Sequence, residues 1–285
     1  MPDRSLFQPR FLTLMKADIH FISGLPRAGS TLLSAILKQN PRFHANMTGP
    51  VGSLVEGMLR TMSMNNETAI FISDAQRRAI IENIFTTFYQ DMPKGDVVFD
   101  TNRLWCAKLP LLMELFPKAK VICCVRRVPW VLDSIERLVR KNTLQPSGIF
   151  NFEPGGTVYS RVDGLAGSNG MVGFAWNALR EAFCGEQTSC LFALTYETLT
   201  TDPAKALAAV YEFIGEKPFK HDFNNIEFDA EEFDRRIGTP GLHRVGRSIH
   251  ANERRSVLPI ELIRKYENDS FWLDPARNPY KVKVV

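Results

Sequence analysis

The stretch IHFISGLPRAGST, Ile19 to Thr31, decides how the rest of the chain is read. Its opening, IHFISGL, is a short apolar run rich in β-formers that ends at a glycine, the pattern of a buried strand. A helix-like pattern follows from Ser30 to about Gln39 and closes at Asn40-Pro41. Between them GLPRAGST (24–31) fits the phosphate-loop pattern G-x-x-x-x-G-K-[ST] at every position but one. Gly24, Gly29 and Thr31 stand where the pattern wants them, and Ser30 replaces the lysine.

A loop between a strand and a helix turns several backbone N–H groups toward one point, and the helix dipole adds positive potential there. The usual lysine reaches the β- and γ-phosphates of a nucleoside triphosphate. Its loss removes the main point charge for such a ligand. Arg27 offers a planar fork of donors instead, which suits a smaller anion. The candidate binding residues are Pro26, Arg27, Ala28, Gly29, Ser30 and Thr31. The competing reading is a glycine-rich turn that only lets strand and helix pack.

Working outward, DVVFD (96–100), KVICCVR (120–126) and LFALTYE (191–197) read as three more buried strands. Helical patterns over roughly 50–63, 74–91, 104–116, 129–142, 170–185 and 203–214 separate them. Strands alternating with helices predict an α/β fold: a parallel sheet of four to five strands with helices on both faces. Ligands in such sheets sit beyond the carboxyl ends of the strands, where Gly24, Asp100, Arg126 and Glu197 fall. The run CVRRVPWVLDS offers a second basic point. Arg126 ends its strand, Pro129 suits the first turn of the next helix, and Ser134 lies just over one turn in. Taken alone, Arg126 and Arg127 read equally as surface charges paired with acids.

The 285 residues are 45% hydrophobic, enough for one large domain, and one domain over 1–285 is the simplest expectation. The net charge of +4 is consistent with an anionic ligand, but no run of like charges points to nucleic acid. Five cysteines with no C-x-x-C pair read as free thiols of a cytoplasmic protein. No apolar stretch is long enough for a membrane span. Residues 1–17 read as an irregular arm, with Met15 an alternative start. Residues 143–169, rich in Gly, Ser and Pro, read as a lid or substrate loop, and 238–259 as a basic loop.

Together the two basic points resemble a known pair. GLPRAGSTLL is similar to the 5′-phosphosulfate loop of sulfotransferases that use 3′-phosphoadenosine 5′-phosphosulfate (PAPS). VRRVPWVLDS resembles their 3′-phosphate motif, with Arg126 and Ser134 at the family's eight-residue spacing. LFPKAKVICCVRRVPWVLDSIERL, NPRF and LTYETLTTDPAKALAAVYEFIG look most like tyrosylprotein sulfotransferases, especially their bacterial relatives. The resemblance implies PAPS as co-substrate, no metal, and a hydroxyl acceptor, with an acidic tyrosine-containing peptide or protein first and a carbohydrate or small molecule as alternatives. It assigns Arg27, Ser30 and Thr31 to the 5′ group, Arg126 and Ser134 to the 3′ phosphate, and Arg244 and Arg247 as further candidates in a C-terminal basic segment.

The resemblance departs at the general base. Tyrosylprotein sulfotransferases use a glutamate whose aligned position here falls near Thr48, where no carboxylate stands. Glu56 is the first substitute, followed by His44 and Asp100. Arg103 is displaced one or two positions from the family's assisting lysine and is its candidate replacement. The main rival reading is a nucleotide kinase or NTPase in which Asp100 would hold magnesium; a nucleotide-binding module without chemistry is another.

Overall fold

The computed structural model describes residues 16–144, 147–148, 156–249 and 254–285. The expected arm and alternative start fall mostly within 1–15, outside the described residues. So do parts of the segments 143–169 and 238–259.

The chain begins with β1 (Asp18–Gly24) and α1 (Ser30–Leu37), then β2 (Phe43–Ala45), α2 (Val51–Thr61), α3 (Asp74–Phe88) and β3 (Val97–Thr101). A 3₁₀ turn (Arg103–Lys108) leads into α4 (Leu109–Leu115), followed by β4 (Val121–Val125), α5 (Val128–Lys141), α6 (Val158–Ala166) and α7 (Met171–Phe183). Next come β5 (Leu191–Thr195), α8 (Tyr196–Thr201), α9 (Pro203–Ile214), α10 (Glu231–Arg236), α11 (Ile260–Tyr266) and β6 (Lys283–Val284). All strand pairs are parallel, in the order β2-β3-β1-β4-β5-β6. Helices flank the sheet. β3, β4 and β5 are buried at every residue, as strands covered on both faces must be.

The α/β expectation holds, with six strands in place of four to five. The extra two, β2 and β6, are edge strands of three and two residues, too short to display a period. Two helical expectations and one strand end change in extent. The pattern over 74–91 ends at Phe88. That over 104–116 divides into a 3₁₀ turn and α4, with Pro110 in the first turn of α4. Glu197 lies within α8 instead of ending a strand. The segment 143–169, read as one aperiodic loop, contains α6, started by Thr157 in a reciprocal cap with Ser160. Among the described residues no helix is long and apolar enough to cross a membrane. The five cysteines are free thiols, buried except Cys184.

The order places β1 between β3 and β4, so the chain leaves β1 toward one edge and later returns to build the other. That reversal opens a crevice at the carboxyl end of β1. Gly24 makes the junction possible. It sits at φ +101° opposite Cys124 of β4, and a Cβ there would lie 2.2 Å from the Cys124 carbonyl oxygen. Side-chain-bearing residues are strained at that φ, and no rotamer relieves a backbone clash. Replacing Gly24 with alanine is therefore expected to cost about 3 kcal/mol or more, read as a lowered urea midpoint.

Candidate active site

The loop after β1 is shaped by residues in the left-handed region: Gly24, Arg27 at φ +57° and Gly29 at φ +96°. Leu25 N donates to Cys124 O at 2.9 Å, which ties the loop's first residue to β4. Gly29 precedes α1, whose first turn no side chain caps. Its leading amides are free to meet an anion.

The second basic point packs directly on this loop. Arg126 Nη1 donates to the Arg27 carbonyl at 3.2 Å, and Arg27 Nε donates to Ser134 Oγ at 3.2 Å. Arg27 Nη1 also donates to the Leu242 carbonyl. The Arg126 guanidinium lies over the Tyr196 ring, 3.9 Å from its centroid, so stacking fixes its plane. Its Nε is buried with no hydrogen-bond partner. Burial and the neighbouring Arg126 charge push the Arg27 pKa down to about 10; it still carries its proton at neutral pH.

A cavity of about 580 Å³ opens over this junction. Pro26, Arg27, Gly29, Ser30 and Thr31 line it from the loop, Arg126 from just after β4, Ser134 from α5, and Arg103 from the turn after β3. Arg244 and Arg247 line it from the C-terminal segment. Every expected donor-binding residue except the buried Ala28 thus faces one cleft. Six arginines line it, and no carboxylate does among the described residues.

The sixth, Arg254, has no motif in the sequence. Buried Asp133 on α5 brings it in, pairing with Arg254 Nη2 and Arg137 Nε at 2.9 Å each. Asp133 also accepts from Ser256 Oγ at 3.0 Å and Val257 N at 2.7 Å. One turn on, buried Glu136 pairs with Arg140 and Arg161 at 2.9 Å each. Sequence reading could not reach Arg254, because its position depends on a carboxylate far away along the chain.

Other expected residues lie elsewhere. Glu56 does not line the cavity. It projects from the outer side of α2, 51% exposed, with Arg60 at 3.4 Å as an i,i+4 partner. His44 bonds through Nε2 to Asp96 at 2.7 Å on the edge strand. Asp100 is buried beside the cleft, and its two oxygens accept from Trp105 Nε1 at 2.7 Å and Tyr89 OH at 2.5 Å. It is a buried core acceptor and does not line the cleft. Thr48, at the position where a glutamate was sought, does line the cleft. No described residue of 143–169 lines it.

The sequence model described as "Sulfotransferase family" matches residues 20–220, well over half the chain. The chain belongs to that family. Among solved structures, the sulfotransferase domain of the Synechococcus PCC 7002 olefin synthase aligns at 16% identity over 89% of this chain and 94% of its own, with a TM-score of 0.45. A sulfotransferase from Alicyclobacillus acidocaldarius aligns at 15% identity, 78% and 91% coverage and a TM-score of 0.48. Mouse sulfotransferase SULT7A1 complexed with PAP aligns at 16% identity, 73% and 63% coverage and a TM-score of 0.44. No curated protein matches the chain in sequence.

In this sulfotransferase the Asp133 clamp holds residues 254–257 against α5. Asp133→Ala leaves the Val257 amide and two arginines without their acceptor. The expected loss is about 1–3 kcal/mol, and hydrogen exchange at Val257 should accelerate while amides in β1 and β4 stay protected.

Proposed function

We propose that this protein transfers a sulfuryl group from PAPS to a hydroxyl acceptor, as one domain spanning the chain. The observation that carries the reading is the direct contact between the two basic points, with the Arg126 guanidinium on the Arg27 carbonyl and Arg27 on Ser134. A ligand with an anionic group at each end of one nucleoside matches two cradles opening into one cleft. The partnerless Nε of Arg126 fits this ligand. A buried charged donor without an acceptor is costly unless something fills the gap, and a 3′ phosphate would.

In this reading Arg27, Ser30, Thr31 and the loop amides hold the 5′ phosphosulfate, while Arg126 and Ser134 hold the 3′ phosphate, with Arg244 and Arg247 beside it. Sulfuryl transfer proceeds by in-line displacement through a loose transition state, so catalysis is mostly positioning and charge stabilisation. Arg27 neutralises the charge that develops on the departing phosphate. Arg103, exposed and lining the cleft, is a second donor toward the sulfuryl oxygens. Among the described residues no carboxylate lines the cleft to hold magnesium, which favours this reading over the kinase one. Met171, Phe233, Ile237 and Leu242 supply apolar lining, which suits an aromatic hydroxyl such as a tyrosine side chain in a peptide or protein. The free cysteines suit a cytoplasmic setting.

Arg27→Ala should lower turnover about 10²–10³-fold, measured as transfer of labelled sulfate from PAPS. Arg126→Ala should weaken 3′,5′-adenosine bisphosphate binding by about 1.5–3 kcal/mol, measured by calorimetry. In thermal-shift titration, the bisphosphate at a hundredfold excess over its Kd should stabilise the protein by about 2.7 kcal/mol, whereas ATP with magnesium should leave the melting temperature unchanged. A magnesium-ATP shift without a bisphosphate shift would replace this reading with the kinase one.

A further inference from the structure

If the cleft transfers sulfuryl groups, some residue in it must take the acceptor's proton, and no carboxylate lines the cavity among its described residues. His243 does line it. Its setting is more specific than that of a loop histidine. The ring Nδ1 lies 2.6 Å from Asp234 Oδ1, and the other oxygen of the same carboxylate accepts from the His243 backbone N at 2.8 Å. Asp234 sits in α10 and its side chain is 3% exposed; that of His243 is 14% exposed. The Phe233 ring stands edge-on to the imidazole, 5.5 Å between centroids.

This bonding fixes the tautomer. An ionised carboxylate only accepts, so in the neutral imidazole it is Nδ1 that carries the hydrogen and donates it to Asp234, which places the lone pair on Nε2. The sequence distance between the two residues is closed by a tight return after α10. Gly238 and Gly241 adopt positive φ, and Thr239 N donates to the Asp234 carbonyl at 2.8 Å. The same return delivers the Leu242 carbonyl to Arg27 Nη1. The imidazole is therefore one residue from the atom that touches the arginine assigned to the leaving group, in a cavity also lined by Phe233, Ile237 and Met171.

We propose that His243 is the general base of this enzyme and that Asp234 is its positioning residue. Nε2 takes the hydroxyl proton of the acceptor as the acceptor oxygen bonds to sulfur. The bond from sulfur to the 5′-phosphate oxygen breaks, and its electron pair leaves with adenosine 3′,5′-bisphosphate. The proton stays on Nε2, and the resulting imidazolium is stabilised by Asp234. A histidine held by a buried carboxylate is a recurrent arrangement for general-base work. The assignment rests on the sulfuryl-transfer reading and differs from it in what would overturn it.

The test uses His243→Asn, whose amide nitrogen can keep the donation to Asp234 while no basic nitrogen remains at the Nε2 position. The probes are PAPS with phenol and with 4-nitrophenol, which ionises near neutral pH and needs little help losing its proton. The expected result is a loss of about 10²–10⁴-fold in kcat with phenol, a far smaller loss with 4-nitrophenol, and unchanged calorimetric affinity for the bisphosphate. Asp234→Asn should show the same acceptor-dependent pattern at smaller amplitude. Equal losses with both phenols, weakened bisphosphate binding, or no loss would overturn the assignment, the second by making His243 a phosphate ligand. So would a wild-type protein that binds the bisphosphate yet sulfates neither phenol, because a base there must act on any hydroxyl small enough to enter. A wild-type protein that does not bind the bisphosphate would instead remove the sulfuryl-transfer reading itself.

Discussion

The approach of β1 to β4 at Gly24 and Cys124 is the constraint on which the rest of the molecule depends. Only a residue without a Cβ can stand against that carbonyl at that backbone angle, and only there does the chain turn directly into the loop before α1. Because the strands are in register at this point, the residue just after β4 is delivered onto the loop instead of beside it. The contact between the Arg126 guanidinium and the Arg27 carbonyl is thus a consequence of sheet register, and one small-residue position fixes the distance between the two cradles.

Gathering arginines at such a junction is costly, because like charges repel and burial strips them of water. The fold limits that cost in two ways. The flat face of Arg126 rests on the Tyr196 ring, and Arg27 donates to Ser134 and the Leu242 carbonyl, so both planes are fixed by neutral groups. The nearby carboxylates stay out of the cavity lining: on α5, Asp133 pairs with Arg254 and Arg137, and Glu136 with Arg140 and Arg161. The cleft keeps its positive potential while the elements around it are tied down by ion pairs whose carboxylates do not line it.

Much of this was legible in the sequence wherever a feature was local. The strand-loop-helix of residues 19–39 and the eight-residue spacing of Arg126 and Ser134, from the end of β4 into α5, are short-range patterns, and the structure brings them to one cleft. The edge strands β2 and β6 were not legible, because two or three residues carry no period and their pairing is set by the neighbour. Glu56 was preferred as a base on its nearness in sequence to Thr48, but helical phase turns it outward from α2 to Arg60. Arg254 and His243 were missed for a shared reason. Each is placed by a buried aspartate, Asp133 or Asp234, whose partner no spacing rule reveals. A sharper signal for the latter was present in DRRIGTPGLHR, where two glycines between an aspartate and a histidine permit a tight return.

The six arginines of the cleft act before any ligand arrives. A concave surface of one sign, with low-dielectric walls, focuses its field into the solvent and draws in polyanions faster than free diffusion would. Capture of a multiply charged nucleotide should therefore depend steeply on ionic strength, far more than its residence once seated among buried partners. The same field makes inorganic sulfate and phosphate natural competitors for the mouth, so the choice of buffer becomes part of this protein's chemistry.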